Sequence, residues 1–265
     1  MRNIPDDNLA YPVFLTWDTG STGSGFRLKY ESKTYFITAK HVLFDDKNNT
    51  RGAKFTFLCQ TKDINDDSTI LFEADIKKLQ ETGMVFFHPN YDIAGFLQCN
   101  DVDEPDGTYI STSVEGIKIL QNSLTSRIVT VNAKNGVAFI DEVLISNDIF
   151  LYGYPTSLGL KHSPQFDYAK PLLRKGIVSN VNKKLGTIIL DCPVYYGNSG
   201  GPVIQVEEIN DKIYHKVIGV VSEFIPYTED WQNRSNGIIH TEWSNSGFSV
   251  AVAMDYVYEM LQISK

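Results

Sequence analysis

From Tyr11 to about residue 250 the chain is a succession of short β-type runs divided by turn residues, with no long amphipathic helix between any two of them. The runs include YPVFLTW (Tyr11 to Trp17), GFRLKY (Gly25 to Tyr30), KTYFITA (Lys33 to Ala39) and KFTFLCQ (Lys54 to Gln60). MVFF, DIAGFLQC and SRIVTVNA follow, then NDIFLYGY, GIVSNV, GTIILDC, PVIQVEE, YHKVIGVVSEF and GFSVAVA. Many alternate polar with apolar residues, the period of a strand with one buried face. Strands without crossover helices build antiparallel sandwiches or barrels, not a parallel α/β sheet. Glu31-Ser32 reads as a hairpin tip. Helical periodicity is confined to Met254–Ser264, where Tyr256, Val257, Met260 and Leu261 share a face that can seal a lobe.

A chain of 265 residues has room for one large β domain or two lobes. The acidic, turn-rich Asp101 to Gly107 and the polar Asn122 to Ser126 place a division between about Val102 and Thr125. We therefore expect lobes over 1–120 and 121–265. Tyr227 to Asn236 reads as a long surface loop.

Charge narrows the function classes. Acidic residues outnumber basic ones 32 to 24, and no Lys/Arg block exceeds a pair such as Lys183-Lys184. No nucleic-acid partner is expected from such a surface. Cys59, Cys99 and Cys192 lack metal-site spacing and read as buried reduced thiols, with one disulfide between Cys59 and Cys99 as the alternative, and neither a metal nor another cofactor is expected. No basic-then-apolar leader and no apolar run of about 18 residues is present, so the reading is no membrane span and a cytoplasmic location, with a secreted mature form as the alternative.

The sharpest local signal is Gly197-Asn198-Ser199-Gly200-Gly201, followed by Pro202-Val203-Ile204. Glycines on both sides allow a tight turn that exposes the serine hydroxyl and aims backbone N–H groups at one point. Serine needs a base to take its proton. Of the five histidines, His88, His162, His215 and His240 lie in polar or Pro-containing surroundings and read as surface or loop residues. His41 instead ends the strand YFITAK. Asp92 opens the apolar run DIAGFL after the turn HPNY and is placed to orient an imidazole.

These motifs together resemble the chymotrypsin-fold, trypsin-like serine peptidases, within them the bacterial HtrA-like and glutamyl-endopeptidase branch, here without a PDZ domain. The family pattern GSGF…(Y/F)(I/L)TAAHV corresponds to Gly23 to Phe26 and Tyr35 to Val42. D-(I/L)-A corresponds to Asp92-Ile93-Ala94, and G-(D/N)-S-G-G-P to Gly197 to Pro202. Gly153-Tyr154-Pro155 and Arg174 to Ser179 resemble further HtrA-type segments, while Gly219 to Ser222 and Gly247-Phe248-Ser249 resemble the two pocket-wall strands. The resemblance spans about Phe14 to Leu261.

It implies an all-β fold of two six-stranded Greek-key barrels with a C-terminal helix, His41 and Asp92 on the first barrel and Ser199 on the second. It implies a serine endopeptidase with Ser199 as nucleophile, His41 as general base and Asp92 ionised behind it. Gly197 and Ser199 would supply oxyanion-hole N–H groups, and a polypeptide substrate would add as a strand beside Ser222. Activity is then expected to fall as acid protonates the imidazole.

Three positions depart from the digestive enzymes. Asn198 stands where those enzymes carry an aspartate that pairs with a new N-terminal amine, so zymogen activation by that route is not expected. Lys40 replaces a small residue and reads as a snorkelling side chain. Pro193 falls near the pocket floor with Val194 after it, and Glu223 and Phe224 follow Ser222. With no aspartate at the floor and Val221 in place of a histidine, a small-to-medium apolar P1 residue is expected. Glu223 offers a basic group a partner elsewhere in the cleft.

Two rival readings stay open at this point. One is an inactive or partner-gated trypsin-like binding module, with a regulatory protein as partner. The other is an α/β-hydrolase elbow, which would need a helix straight after Ser199.

Overall fold

The computed structural model describes residues 4–5, 8, 10–62, 65–103, 109–123, 128–156, 164–165, 167–233 and 235–263. Two sheets divide the chain. The first is built from β1 (Pro12–Trp17), β2 (Thr22–Tyr30), β3 (Lys33–Thr38), β4 (Lys54–Gln60), β5 (Thr69–Asp75), β6 (Val85–Phe87), β7 (Ala94–Asp103), β8 (Tyr109–Ser113), β9 (Ile117–Asn122) and β10 (Val131–Asn132). Its order is β6-β7-β3-β2-β1-β4-β5-β9, with β8 added to β7 and β10 to β2. The second sheet has β11 (Asp148–Gly153), β12 (Leu172–Asn182), β13 (Thr187–Asp191), β14 (Pro202–Ile209), β15 (Lys212–Gln232) and β16 (Ile239–Ala253). It closes as a barrel in the order β11-β12-β13-β16-β15-β14.

Both sheets contain the Greek-key arrangement, in which a fourth strand returns beside the first of three consecutive ones: β4-β1-β2-β3, then β14-β11-β12-β13. The all-β, two-sheet class with a terminal helix is thus present. The first sheet differs from the expected six strands: it has ten, and its end strands β6 and β9 do not pair.

Alternation explains the first core. Along β4, Phe55, Phe57 and Cys59 face inward while Thr56 and Leu58 do not, in the period-2 pattern of a half-buried strand. Phe57 stacks on Phe72 at 4.7 Å and Phe36 on Phe96 at 4.8 Å. Burying each of these rings contributes about 1.5–3 kcal/mol. The second core is aliphatic, from Ile149, Leu151, Val178, Ile188, Leu190, Val203 and Ile218. Beyond the short helices α1 (Lys40–Leu43) and α2 (Ile76–Glu81), helix α3 (Met254–Leu261) leaves the second barrel but buries Met254, Val257, Tyr258 and Leu261 in the first core. It therefore seals one lobe with residues that follow the other.

The expectation of a surface loop over Tyr227 to Asn236 is corrected. Tyr227–Gln232 continues β15 and pairs with β16 from Tyr227↔Ser244 to Gln232↔Ile239, forming a projecting hairpin arm. Thr, Ile and Trp favour strands, but both faces of the arm meet solvent, so its sequence lacks a buried period. β5 and β9 were likewise not among the runs expected. Of the run SRIVTVNA, only Val131–Asn132 forms a strand within the described residues. The interlobe stretch and His162 fall partly or wholly outside the described residues.

Candidate active site

Three loops converge between the sheets. His41 lies on α1 (Lys40–Leu43), a single helical turn that follows β3. Arg51 Nε donates to the His41 carbonyl and ties that turn to the segment before β4. Asp92 follows a tight turn in which His88 Nδ1 accepts the N–H groups of Asn90 and Tyr91 at 3.1 and 3.2 Å. His88 is therefore not a surface residue: it is 2% exposed and packs against Tyr91 and Tyr256. Ser199 sits on the connection from β13 to β14.

Asp92 reaches His41 twice. Its Oδ1 accepts the His41 backbone N–H at 3.0 Å, and its Oδ2 lies 2.8 Å from Nδ1. An ionised Asp92 makes Nδ1 the donor and leaves Nε2 as an acceptor on the other side of the ring. Burial works to raise the Asp92 pKa, but hydrogen bonds from His41 and Ser222 outweigh it and hold the carboxyl below its ordinary value. Ser222 Oγ supplies one of these bonds, at 2.6 Å. Ser199 Oγ donates to the Ser222 carbonyl at 3.1 Å, not to His41.

The serine turn needs its glycines. Gly197 and Gly200 have φ of 97° and 87°. A Cβ on Gly197 would lie 2.2 Å from the Tyr154 oxygen, and one on Gly200 would lie 2.1 Å from the Ser24 oxygen. Within the turn, Asn198 N–H bonds Tyr195 O, Gly200 N–H bonds Val221 O, and Gly201 N–H bonds Asn198 O. Among the described residues, the N–H groups of Gly197 and Ser199 donate to nothing in the protein. The turn thus keeps two backbone donors unspent beside the serine, which is what an oxyanion requires.

Ser24, on β2, was not singled out as a functional residue. Its N–H donates to Ser199 O at 2.9 Å, its Oγ donates to Gly197 O at 2.6 Å, and the same Oγ accepts Tyr154 N–H at 3.0 Å. Thr38 Oγ1 holds the Ser24 carbonyl at 2.6 Å. One buried serine of the first sheet therefore fastens the serine turn of the second. The signal was its place inside the GSGF motif.

A cleft of about 970 Å³ contains His41, Asp92 and Ser199 in its lining. Gly20, Ser21, Thr22 and Arg51 border one part, and Val194, Tyr195, Tyr196, Ser222, Glu223 and Phe224 another. Pro226 and Trp243 carry the lining onto the hairpin arm. Pro193 and Gly247 are not among the residues that line this cleft. Asn245 ties the two segments together: its Nδ2 donates to Val194 O at 2.6 Å while its Oδ1 accepts the Gly247 N–H at 2.9 Å. Phe224 does not fill the cleft alone but meets Tyr196 edge-on at 6.1 Å.

Lys40 turns its ammonium over the Phe87 ring, 4.6 Å from the centroid. Asn198 is buried, and its Oδ1 accepts Tyr195 N–H at 3.0 Å. All three cysteines are buried free thiols. Among the described residues no group of three His, Cys, Asp or Glu could hold a metal, and no helix is long and apolar enough to cross a membrane. A strand, β14, follows Ser199, so the strand-turn-helix of an α/β-hydrolase elbow is absent.

The model of the trypsin-like peptidase domain family matches residues 23–210, from the GSGF motif through the serine turn. The chain belongs to that family. The solved structures similar to this trypsin-like peptidase domain include an HtrA-type protease AlgW with tripeptide, at 16% identity and a TM-score of 0.43, covering 96% of this chain and 60% of that one. A variant of the same protease with tripeptide gives 15% identity and a TM-score of 0.45, covering 99% of this chain and 63% of that one. The peptidase domain thus spans about three fifths of the length of these chains. A search of curated proteins gave no match.

Proposed function

We propose that this trypsin-like peptidase domain is a serine endopeptidase that works through Ser199, His41 and Asp92 and an acyl-enzyme. The observation that carries the reading is the 2.8 Å contact of His41 Nδ1 with a half-buried Asp92, in a cleft that Ser199 also lines. Asp92 holds the imidazole in the tautomer whose Nε2 can accept a proton. Ser199 Oγ turns from the Ser222 carbonyl to His41, attacks the scissile carbonyl and loses its proton to Nε2. The unspent Gly197 and Ser199 N–H groups receive the developing oxyanion. His41 then protonates the leaving amine, and water repeats the sequence on the acyl-enzyme.

Asn198 supports activation without a trypsin-type N-terminus, because it is uncharged and its Oδ1 already accepts the Tyr195 N–H. A second reading, a peptidase gated by a partner protein or ligand, is favoured by one observation: the Ser199 hydroxyl rests on Ser222 O rather than on His41. Hydrolysis of an unbiased peptide library separates the readings. The proposal expects turnover that Ser199→Ala and His41→Ala abolish. Turnover that survives Ser199→Ala would overturn it.

A further inference from the structure

The hairpin arm offers an unpaired strand edge that starts at the serine. β15 pairs with β14 only as far as Val220, opposite Pro202, but with β16 as far as Gln232. From Ser222 to Gln232 no described strand covers the β14 side of β15. This edge begins where Ser199 Oγ meets Ser222 O and, at ~3.3 Å per residue, runs for about 30 Å. It is continuous with the cleft, since Pro226 of this edge lines the cleft, as does Trp243, which pairs with Thr228 from β16.

The chemistry of the arm is acidic and aromatic. Glu223, Glu229, Asp230 and Glu242 lie on it, and among the described residues none is ion-paired. Glu229 stands directly opposite Glu242 in the register, a like-charge pair that destabilises a hairpin unless a cation lies near. Trp231 and Trp243 are 60% and 70% exposed, and Tyr227 is exposed beside them. A peptide added to a strand edge presents alternate side chains to both faces of the sheet. On one face it would meet Thr228 and Asp230, on the other Tyr227, Glu229 and Trp231.

We infer that the strand pairing expected beside Ser222 continues along this edge onto the arm, and that the arm selects basic residues interleaved with aromatic ones in the substrate segment N-terminal to the scissile bond. The inference rests on the peptidase reading of Ser199. A strand antiparallel to β15 that passes Ser199 must lay its N-terminal flank along the arm, because the opposite direction from Ser222 is covered by β14. The carboxylates meet Lys or Arg, and the exposed rings accept aromatic or guanidinium stacking.

The test uses the full chain and peptides that share one cleaved core, found by library profiling. Two of them carry an N-terminal extension of about ten residues, enough to span the edge at ~3.3 Å each. One extension alternates Arg with Tyr, the other Glu with Tyr. The Arg-Tyr extension is expected to raise kcat/KM about tenfold over the bare core, the scale of a few exposed ion pairs and stacked rings, and the Glu-Tyr extension is not. In Glu229→Lys/Asp230→Lys the ratio of Arg-Tyr to Glu-Tyr is expected to invert.

Equal kcat/KM for all three peptides, from protein whose Ser199 reacts with a fluorophosphonate, overturns the arm and leaves the peptidase reading standing. Protein that never reacts overturns the peptidase reading instead. In that case the Arg-Tyr peptide is titrated into Ser199→Ala protein, and the fluorescence of the exposed Trp231 and Trp243 is followed. An unchanged signal overturns the arm as well. A concentration-dependent dimer that the Lys double variant dissolves and the peptide does not displace assigns the edge to a second copy and overturns the inference.

Discussion

Ser222 Oγ and His41 Nδ1 share one oxygen of Asp92, Oδ2, at 2.6 and 2.8 Å. The backbone of the same Ser222 receives the Ser199 hydroxyl. One residue on β15 therefore touches both ends of the proposed relay, through its side chain at the carboxylate and through its carbonyl at the nucleophile.

Removing that side chain separates the two contacts. Ser222→Ala keeps the carbonyl and loses the donor to Asp92. We expect kcat to fall about tenfold with KM little changed, the scale of losing a partner that orients a functional side chain. Ser222→Thr, which retains a hydroxyl, should recover most of the rate. Steady-state kinetics of both variants across pH check this.

Ser24→Ala should act through stability and activity together. It strips a hydrogen bond from the buried Gly197 carbonyl and another from Tyr154 N–H. Each buried group left unmade costs about 1–3 kcal/mol. Urea unfolding should show a loss of about 2–4 kcal/mol, with kcat reduced in the protein that remains folded.

Gly200→Ala meets a harder obstacle. The new Cβ would sit 2.1 Å from both Ser24 O and Thr38 Oγ1, at a φ of 87°. Neither backbone nor sheet can yield without moving Ser199, so turnover should be lost even where circular dichroism shows retained strands. Gly237, on the arm, also has a positive φ but has nothing within 4 Å of a Cβ. Gly237→Ala should cost only its local backbone strain and leave core-peptide turnover intact.

Acid should unfold the protein through two carboxylates. Asp92 and Asp101 are both held below the ordinary carboxylate value. For Asp101, burial acts upward, but hydrogen bonds from Ser111, Lys29 and Thr34 prevail. A group with a depressed folded pKa stabilises the fold above its unfolded value, near 3.9, and that contribution is lost as pH falls through the folded value. Tm should therefore be insensitive to these groups from pH 7 to about 5 and drop steeply below about 4. In Asp101→Asn the drop should be shallower and the Tm at pH 7 lower.

Much of the architecture could be read from residues alone, because β4 buries one face and so prints a period-2 pattern, while β3 and β7 are buried on both faces and print continuous apolar runs. The serine turn was legible because Gly197 and Gly200 are forced by contacts that no other residue satisfies. Ser24 was less legible: its partners lie 173 and 130 residues away, and local spacing says nothing of such pairs. His88 does lie on the loop after β6, but its burial was not legible because Tyr256, one of the rings packed on it, comes from α3. The shape of the wall that Ser222, Glu223 and Phe224 form was not legible, since β15 shifts register against β16 between Val221 and Glu223 and again between Phe224 and Pro226. Bulges of this kind re-aim side chains without leaving a sequence period. The arm was missed for the opposite reason, since neither of its faces is buried.

The account turns on whether Ser199 is an activated nucleophile. Incubating the protein with a fluorophosphonate probe and mapping the adduct by mass spectrometry asks this directly. The account predicts one adduct, on Ser199, that forms in the wild type, slows by orders of magnitude in His41→Ala and disappears in Ser199→Ala. An adduct that forms as fast without His41, or that sits on any other residue, would contradict it.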